Sequence, residues 1–107
     1  MTEMIENRVT GFLGLCMRAG RIISGQEACV DLIRSGECAL ALMDASASDN
    51  TRKRLTDACH SHDVPLYEVS AGELGRAIGK NGRMVIALKP DGMSEKLLTL
   101  LKDEQRL

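Results

Sequence analysis

Chemistry in this chain would have to come from cations set among glycines. The run Glu73-Leu74-Gly75-Arg76-Ala77-Ile78-Gly79-Lys80-Asn81-Gly82-Arg83 is followed at once by the apolar stretch Met84-Val85-Ile86-Ala87-Leu88. Between Ser70 and Lys89, the cations Arg76, Lys80, Arg83 and Lys89 face one acid, Glu73: a local charge of +3 in a chain whose formal net charge is −1. Glycines let a backbone approach closely, and lysine and arginine neutralise negative charge, so the run is suited to gripping phosphate. A tight turn carrying solvated charges would look the same at this level.

A second candidate is Ser24-Gly25-Gln26-Glu27, which fits a capping box at a helix start. The free N–H groups and dipole of a helix N-terminus favour an anion, Gly25 leaves the approach open, and Arg18 and Arg21 lie close in sequence. Glu27 works against that use, because its carboxylate competes for the same N–H groups.

Catalysis finds little support. The chain has no G-x-S-x-G, no phosphate-binding G-K-[ST] loop and no H-E-x-x-H. Asp44 ends an apolar strand, where α/β folds often place function, but a turn or capping role is the commoner use. Cys16, Cys29, Cys38 and Cys59 sit in apolar contexts with no C-x-x-C spacing, as buried free thiols in a reducing compartment do. Cys59-His60-x-His62 has no second half-site, so no metal is expected. With Phe12 and Tyr67 as the only aromatics, a base-stacking platform is excluded.

The elements that must position these residues can be read from periodicity and punctuation. Thr2 caps a helix over Glu3 to Arg18, stopped by Gly20. Arg21-Ile22-Ile23 reads as a short strand, and the helix opened by Ser24 ends at Gly36. Cys38 to Met43 is a doubly buried strand, and Asp49 caps a helix running to about His62. Pro65 to Val69 is a strand, Ser70-x-x-Glu73 caps a helix to Gly79, and Met84 to Leu88 is the last strand. Ser94 caps a final helix carrying Leu97, Leu98, Leu100 and Leu101. Strands alternating with helices imply an α/β fold, a three-layer α/β/α sandwich with a central mixed four-stranded sheet, in one domain over 1–107. No segment has the length of a membrane span or the pattern of a signal peptide, so the expected location is the cytoplasm with no membrane partner. Ile78-Gly79-Lys80-Asn81-Gly82 also matches the I-G-x-x-G loop of KH domains. A helix comes after that loop in KH folds, whereas Met84 to Leu88 ahead of Pro90 leaves room only for a strand.

Several short motifs, in order and at matching spacing over roughly residues 5 to 100, resemble one family. They are Leu13-Gly14-Leu15-x-x-Arg18-Ala19-Gly20-Arg21-Ile22-Ile23-Ser24-Gly25, then Ile33-Arg34-Ser35-Gly36, Val64-Pro65, and Leu74-Gly75-Arg76-Ala77-Ile78-Gly79-Lys80. The family is that of the bacterial YlxQ-type proteins, a branch of the kink-turn-binding ribosomal-protein superfamily. The resemblance implies the same sandwich, and RNA binding in the translation machinery without catalysis or cofactor. RNA-binding members set the N-terminus of the second helix, with a G-x-N-E-x-x-K pattern, against sharply bent RNA, and the loop after the fourth helix against an extruded nucleotide. On this chain the glycine is Gly25, but Glu27 stands at the asparagine position, Ala28 at the glutamate and Asp31 at the lysine. The loop after Gly79 is short and lacks an apolar segment to wall an extruded base.

The resulting expectation is a ribosome-associated, non-catalytic RNA-binding protein whose partner is structured RNA. The contacts expected are Arg21, Gly25, Gln26, Glu27, Arg76, Gly79, Lys80, Asn81 and Arg83. The alternative is a protein-interaction module of the translation or transcription machinery, suggested by Asp31 and the acidic total.

Overall fold

The computed structural model describes residues Met1–Leu107. Its elements are α1 (Glu3–Arg18), β1 (Ile23–Ser24), α2 (Gln26–Ser35), β2 (Leu40–Asp44), α3 (Asp49–Ser61), β3 (Leu66–Val69), α4 (Glu73–Ile78), β4 (Val85–Leu88) and α5 (Gly92–Leu100). The strands form one mixed sheet in the order β1-β4-β2-β3, with β2 and β3 parallel and β4 antiparallel to both β1 and β2. Helices cover both faces, which is the expected α/β/α sandwich. No helix is long and apolar enough to cross a membrane.

Strand alternation divides the core in two. Leu40, Leu42, Tyr67, Val69, Ile86 and Leu88 point to the side of α1, α4 and α5, where they meet Val9, Leu13, Leu74 and Leu97. Their neighbours Ala41, Met43, Leu66, Val85 and Ala87 point to the side of α2 and α3, among Val30, Ile33, Leu55 and Cys59. A one-residue slip would exchange the two sets, and each buried Leu or Ile contributes about 1.5–3 kcal/mol in its proper site. Both β2 and β4 are buried along their whole length, which explains runs that never alternate with polar residues.

Thr2 caps α1 as expected, its hydroxyl accepting from the Ile5 N–H at 3.2 Å, but the other helix starts differ from the sequence expectations. Ser24 does not cap α2, because it is held in the β1–β4 ladder opposite Ile86. The cap position belongs to Gly25, at φ 100° and with no side-chain cap. Ser70 does not cap α4 either: its N–H and hydroxyl donate to the Glu6 carboxylate at 2.9 and 3.0 Å, and Gly72 takes the cap position at φ 83°. Ser48 rather than Asp49 caps α3, and Asp91 forms the capping box of α5 with Ser94. The first strand is Ile23–Ser24, beginning later than expected.

The missing cap on α4 is replaced by Asp44, the fully buried last residue of β2. One carboxylate oxygen accepts from the N–H and hydroxyl of Ser46 at 3.0 and 2.6 Å and from the Gly72 N–H at 3.1 Å. The other accepts from the Leu74 N–H at 3.2 Å. Burial would raise this carboxyl, but the hydrogen bonds from Ser46, Gly72 and Leu74 outweigh it and hold the group below its ordinary value of 3.8. A six-residue helix has little stability of its own, so an external cap and tertiary packing fix its position.

Gly75 sets the path of the chain beyond α4. A Cβ there would lie 2.8 Å from the Lys80 carbonyl oxygen, so the segment after Gly79 folds back on the helix at a distance only glycine allows.

These contacts have measurable consequences. Asp44→Asn puts an NH₂ group against backbone donors and should cost about 2–3 kcal/mol in urea denaturation at neutral pH. Because the folded carboxyl lies below its ordinary 3.8, its contribution is present above that value and fades as pH falls through the folded pKa. The difference between the two proteins should therefore shrink in strong acid and stay constant above about pH 5. Gly75→Ala should destabilise by about 1–3 kcal/mol and shift amide resonances over residues 79–83. Gly11→Ala, where a Cβ meets open space in mid-helix, should stabilise by about 0.5–1 kcal/mol. Equal stabilities for Gly75→Ala and wild type would refute the close approach.

Candidate nucleic-acid interface

The uncapped start of α2 and the loop after α4 come together. Gly25 N–H donates to the Val85 carbonyl at 3.1 Å, which ties the α2 start to the base of the loop. Arg83 lies alongside, with a guanidinium nitrogen 3.0 Å from where a Gly25 Cβ would stand. Any larger residue at 25 would meet that arginine as well as an unfavourable φ. Gly25, Gln26, Thr51, Gly82, Arg83, Met84 and Val85 enclose an open cavity of about 250 Å³.

The first intrahelical bond of α2 runs from the Cys29 N–H to the Gly25 carbonyl at 3.0 Å. The N–H groups of Gln26, Glu27 and Ala28 therefore have no backbone acceptor, and no side chain caps them. Glu27 leaves them free. Its carboxylate, expected to reach back to the cap, instead pairs with Arg54 of α3 at 2.9 Å. An exposed pair of this kind contributes only about 0–1 kcal/mol, yet it is enough to orient a carboxylate that has no serine partner. Gln26 is drawn the same way, its side-chain oxygen accepting from the Thr51 hydroxyl at 2.7 Å.

The loop itself supplies unpaired charge. Lys80 and Arg83 enter no ion pair, and Lys80, Asn81 and Gly82 are exposed. Gly79 and Gly82 both adopt left-handed backbone, at φ 72° and 80°, which turns the chain sharply around Lys80. Arg76 is exposed but engaged, its Nε donating to Glu73 at 2.8 Å.

Arg21 does not join this group. In the antiparallel ladder Ile23 faces Ala87 and Ser24 faces Ile86, so Gly25 lies toward Val85 while Arg21 lies toward Lys89. Arg21 is found at the opposite end of β4, 3.8 Å from the Asp91 carboxylate. Of the nine residues expected to form the interface, Gly25, Gln26 and Arg83 meet at the cavity. Gly79, Lys80 and Asn81 belong to the same loop, and Arg76 and Glu27 stand beside it with their charges engaged. Thr51 and Arg54 were not expected; nothing in the sequence places the first turns of α2 and α3 side by side. Parallel crossovers β1–α2–β2 and β2–α3–β3 do so.

The thiols are inert. Burial pushes Cys29 and Cys59 up to about 12 and Cys38 to about 11, so each keeps its proton at neutral pH.

Comparison with known proteins places the chain in a family. The model of the ribosomal protein L7Ae/L30e/S12e/Gadd45 family matches residues 7–98. The chain is 41% identical over 90 residues to the RNA-binding protein YlxQ of Bacillus subtilis (strain 168), covering 83% of this chain and 90% of that protein. It is 31% identical over 103 residues to the RNA-binding protein YlxQ of Enterococcus faecium, covering 95% and 99%. Among solved structures, a protein of unknown function from Bacillus halodurans superposes with a TM-score of 0.81 at 36% identity, over 90% of this chain and 98% of that one. A 15.5 kD RNA binding protein of Giardia lamblia shares the fold at a TM-score of 0.78 and 18% identity, over 97% and 91%. With a family match over most of its length and two such relatives, the chain belongs to the L7Ae/L30e/S12e/Gadd45 family, and within it to the YlxQ-type proteins.

Proposed function

We propose that this protein is a non-catalytic RNA-binding protein of the cytoplasm that associates with the ribosome and grips structured RNA by its backbone. The observation that carries the reading is the convergence of uncapped α2 amides with an unpaired Arg83 guanidinium across Gly25. Backbone N–H groups at a helix N-terminus donate to a phosphate, and Lys80 and Arg83 neutralise its neighbours. That its relatives are RNA-binding proteins supports the choice of RNA over other phosphate ligands.

Recognition of kinked RNA should be weak. Asp31, exposed on α2, stands where the family pattern has lysine. At about 5 Å from a phosphate, exchanging Lys for Asp costs on the order of 2–6 kcal/mol for an effective dielectric of 80 down to 20, and the exposure of Asp31 favours the lower end. Shape and phosphate contacts are therefore expected to dominate over base readout.

Asp31, with Glu27 one helical turn before it, also favours a second reading. This acidic face of α2 suits a protein partner in the translation machinery. Such a partner should remain bound in a pull-down from nuclease-treated lysate, whereas an RNA-mediated one should be lost.

Titration of a kink-turn RNA and a straight duplex of equal length, at two salt concentrations, tests the first reading. Lys80→Ala with Arg83→Ala should weaken both complexes about tenfold or more and lower the salt slope by about 2. Asp31→Lys should strengthen binding, and more for the kinked RNA than for the duplex. An unchanged slope in the double variant would remove the loop from the interface.

A further inference from the structure

Arg21 is left over from the interface at Gly25, yet it does not stand alone. At the far end of the β1–β4 ladder, Gly20, Arg21, Ile23, Lys89 and Asp91 line a second open cavity of about 170 Å³. Lys89 is exposed and enters no ion pair. Arg21 has 59% of its side chain exposed, and its contact with Asp91 at 3.8 Å is long. One oxygen of the Asp91 carboxylate is committed to α5, where it accepts from the Ser94 N–H at 2.8 Å, and the other faces Arg21. Gly20 adopts φ 71° with open space where a Cβ would be, so backbone is accessible there too.

The two cavities lie at the two ends of one edge. β1 is the outermost strand next to β4, and it is only two residues long, Ile23 and Ser24. Arg83 precedes β4 and Lys89 comes after it, which at about 3.3 Å per residue separates the two cations by roughly 20 Å. The edge between them carries no acid: from Gly20 to Gln26 the only charged residue is Arg21, and from Lys80 to Lys89 every charged residue is basic. Both flat faces of the sheet are covered by helices, so this edge is the short route from one cation pair to the other.

We propose that the β1 edge is a track for a single-stranded RNA segment, continuous with the Gly25 site. The strand's phosphates pass from Lys80 and Arg83 at one end to Arg21 and Lys89 at the other. The track rests on the RNA reading above and extends it: the ligand is a structured RNA with a single-stranded extension of several nucleotides, held by charge along its backbone. With so few aromatic side chains in the chain, the track reads phosphate and not base identity.

The test compares a kink-turn RNA with and without a single-stranded extension of about eight nucleotides at either terminus, bound to the full chain. For the wild type, one of the two extensions should raise affinity about tenfold and steepen the salt slope by about 2. Arg21→Ala with Lys89→Ala should abolish that gain while binding the unextended RNA as the wild type does. Arg21→Lys alone should retain it, since a point charge suffices for phosphate, and an unchanged melting temperature shows that the Asp91 cap has held. If neither extension helps the wild type, or if the double variant keeps the gain, the track is wrong. Lys80→Ala with Arg83→Ala separates the two ideas. Loss of binding to the unextended RNA supports the Gly25 site, whereas a retained extension effect without any effect at Lys80 and Arg83 would leave the far end as the sole site and overturn a continuous track.

Discussion

The placement of the candidate interface depends on one buried carboxylate. Asp44 ends β2 in the middle of the sheet, and it receives four hydrogen bonds from Ser46, Gly72 and Leu74. Those bonds do two things at once: they close the turn after β2 and they cap the start of α4. Everything after α4 inherits the position they set. Gly75 lets Lys80 fold back against that helix, Gly79 and Gly82 bend the loop, and the loop enters β4, whose first residue binds Gly25. A charge taken out of water would be costly alone, but here two of its four bonds come from amides that would otherwise be orphaned at the α4 start, and two from Ser46. Neither partner would be stable in that place without the other.

Much of this was legible in the sequence where the signal was local. The doubly apolar runs at 38–43 and 84–88 announced buried strands, and the alternation of helix and strand announced the sandwich. Helix ends at Gly36 and Gly79 were readable because a left-handed residue leaves a glycine behind. The helix starts were less so. Ser24 and Ser70 each satisfy the S-x-x-E pattern, and neither caps. A serine oxygen can serve a ladder, a distant carboxylate or a cap, and the pattern does not say which contact tertiary structure will supply. Asp44 was readable only as a turn or cap residue, because its partners Gly72 and Leu74 are almost thirty residues away in sequence.

The site was half legible for the same reason. Glycines and cations near 80 and the helix start at Gly25 could each be found, but their meeting depends on β1 pairing with β4, a contact between distant segments. That same pairing is antiparallel, and so it carries Arg21 away from Arg83, although Arg21 lies only four residues before Gly25. Sequence proximity misled where strand direction decided.

Charge distribution explains how a chain of net charge −1 can present a cationic edge. Several of its acids are engaged with something else: Glu27 with Arg54, Glu73 with Arg76, Asp91 with the start of α5, and Asp44 with backbone amides and the Ser46 hydroxyl. None of these pairs contributes much to stability where it is exposed. Their consequence is spatial. The first two hold a negative group off the uncapped amides of α2 and off Lys80 and Arg83, which enter no ion pair, whereas Asp91 stays beside Arg21 and tempers the far end. Asp31 on α2, like Asp49 at the start of α3, is an exposed acid with no cation of its own. Because screening confines its effect to about 8–10 Å, it can oppose a phosphate lying along α2 without disturbing one lying along the β1 edge. On the RNA reading proposed above, the scaffold would lose its hold on an RNA bent across the helix and still attract one that runs along the sheet.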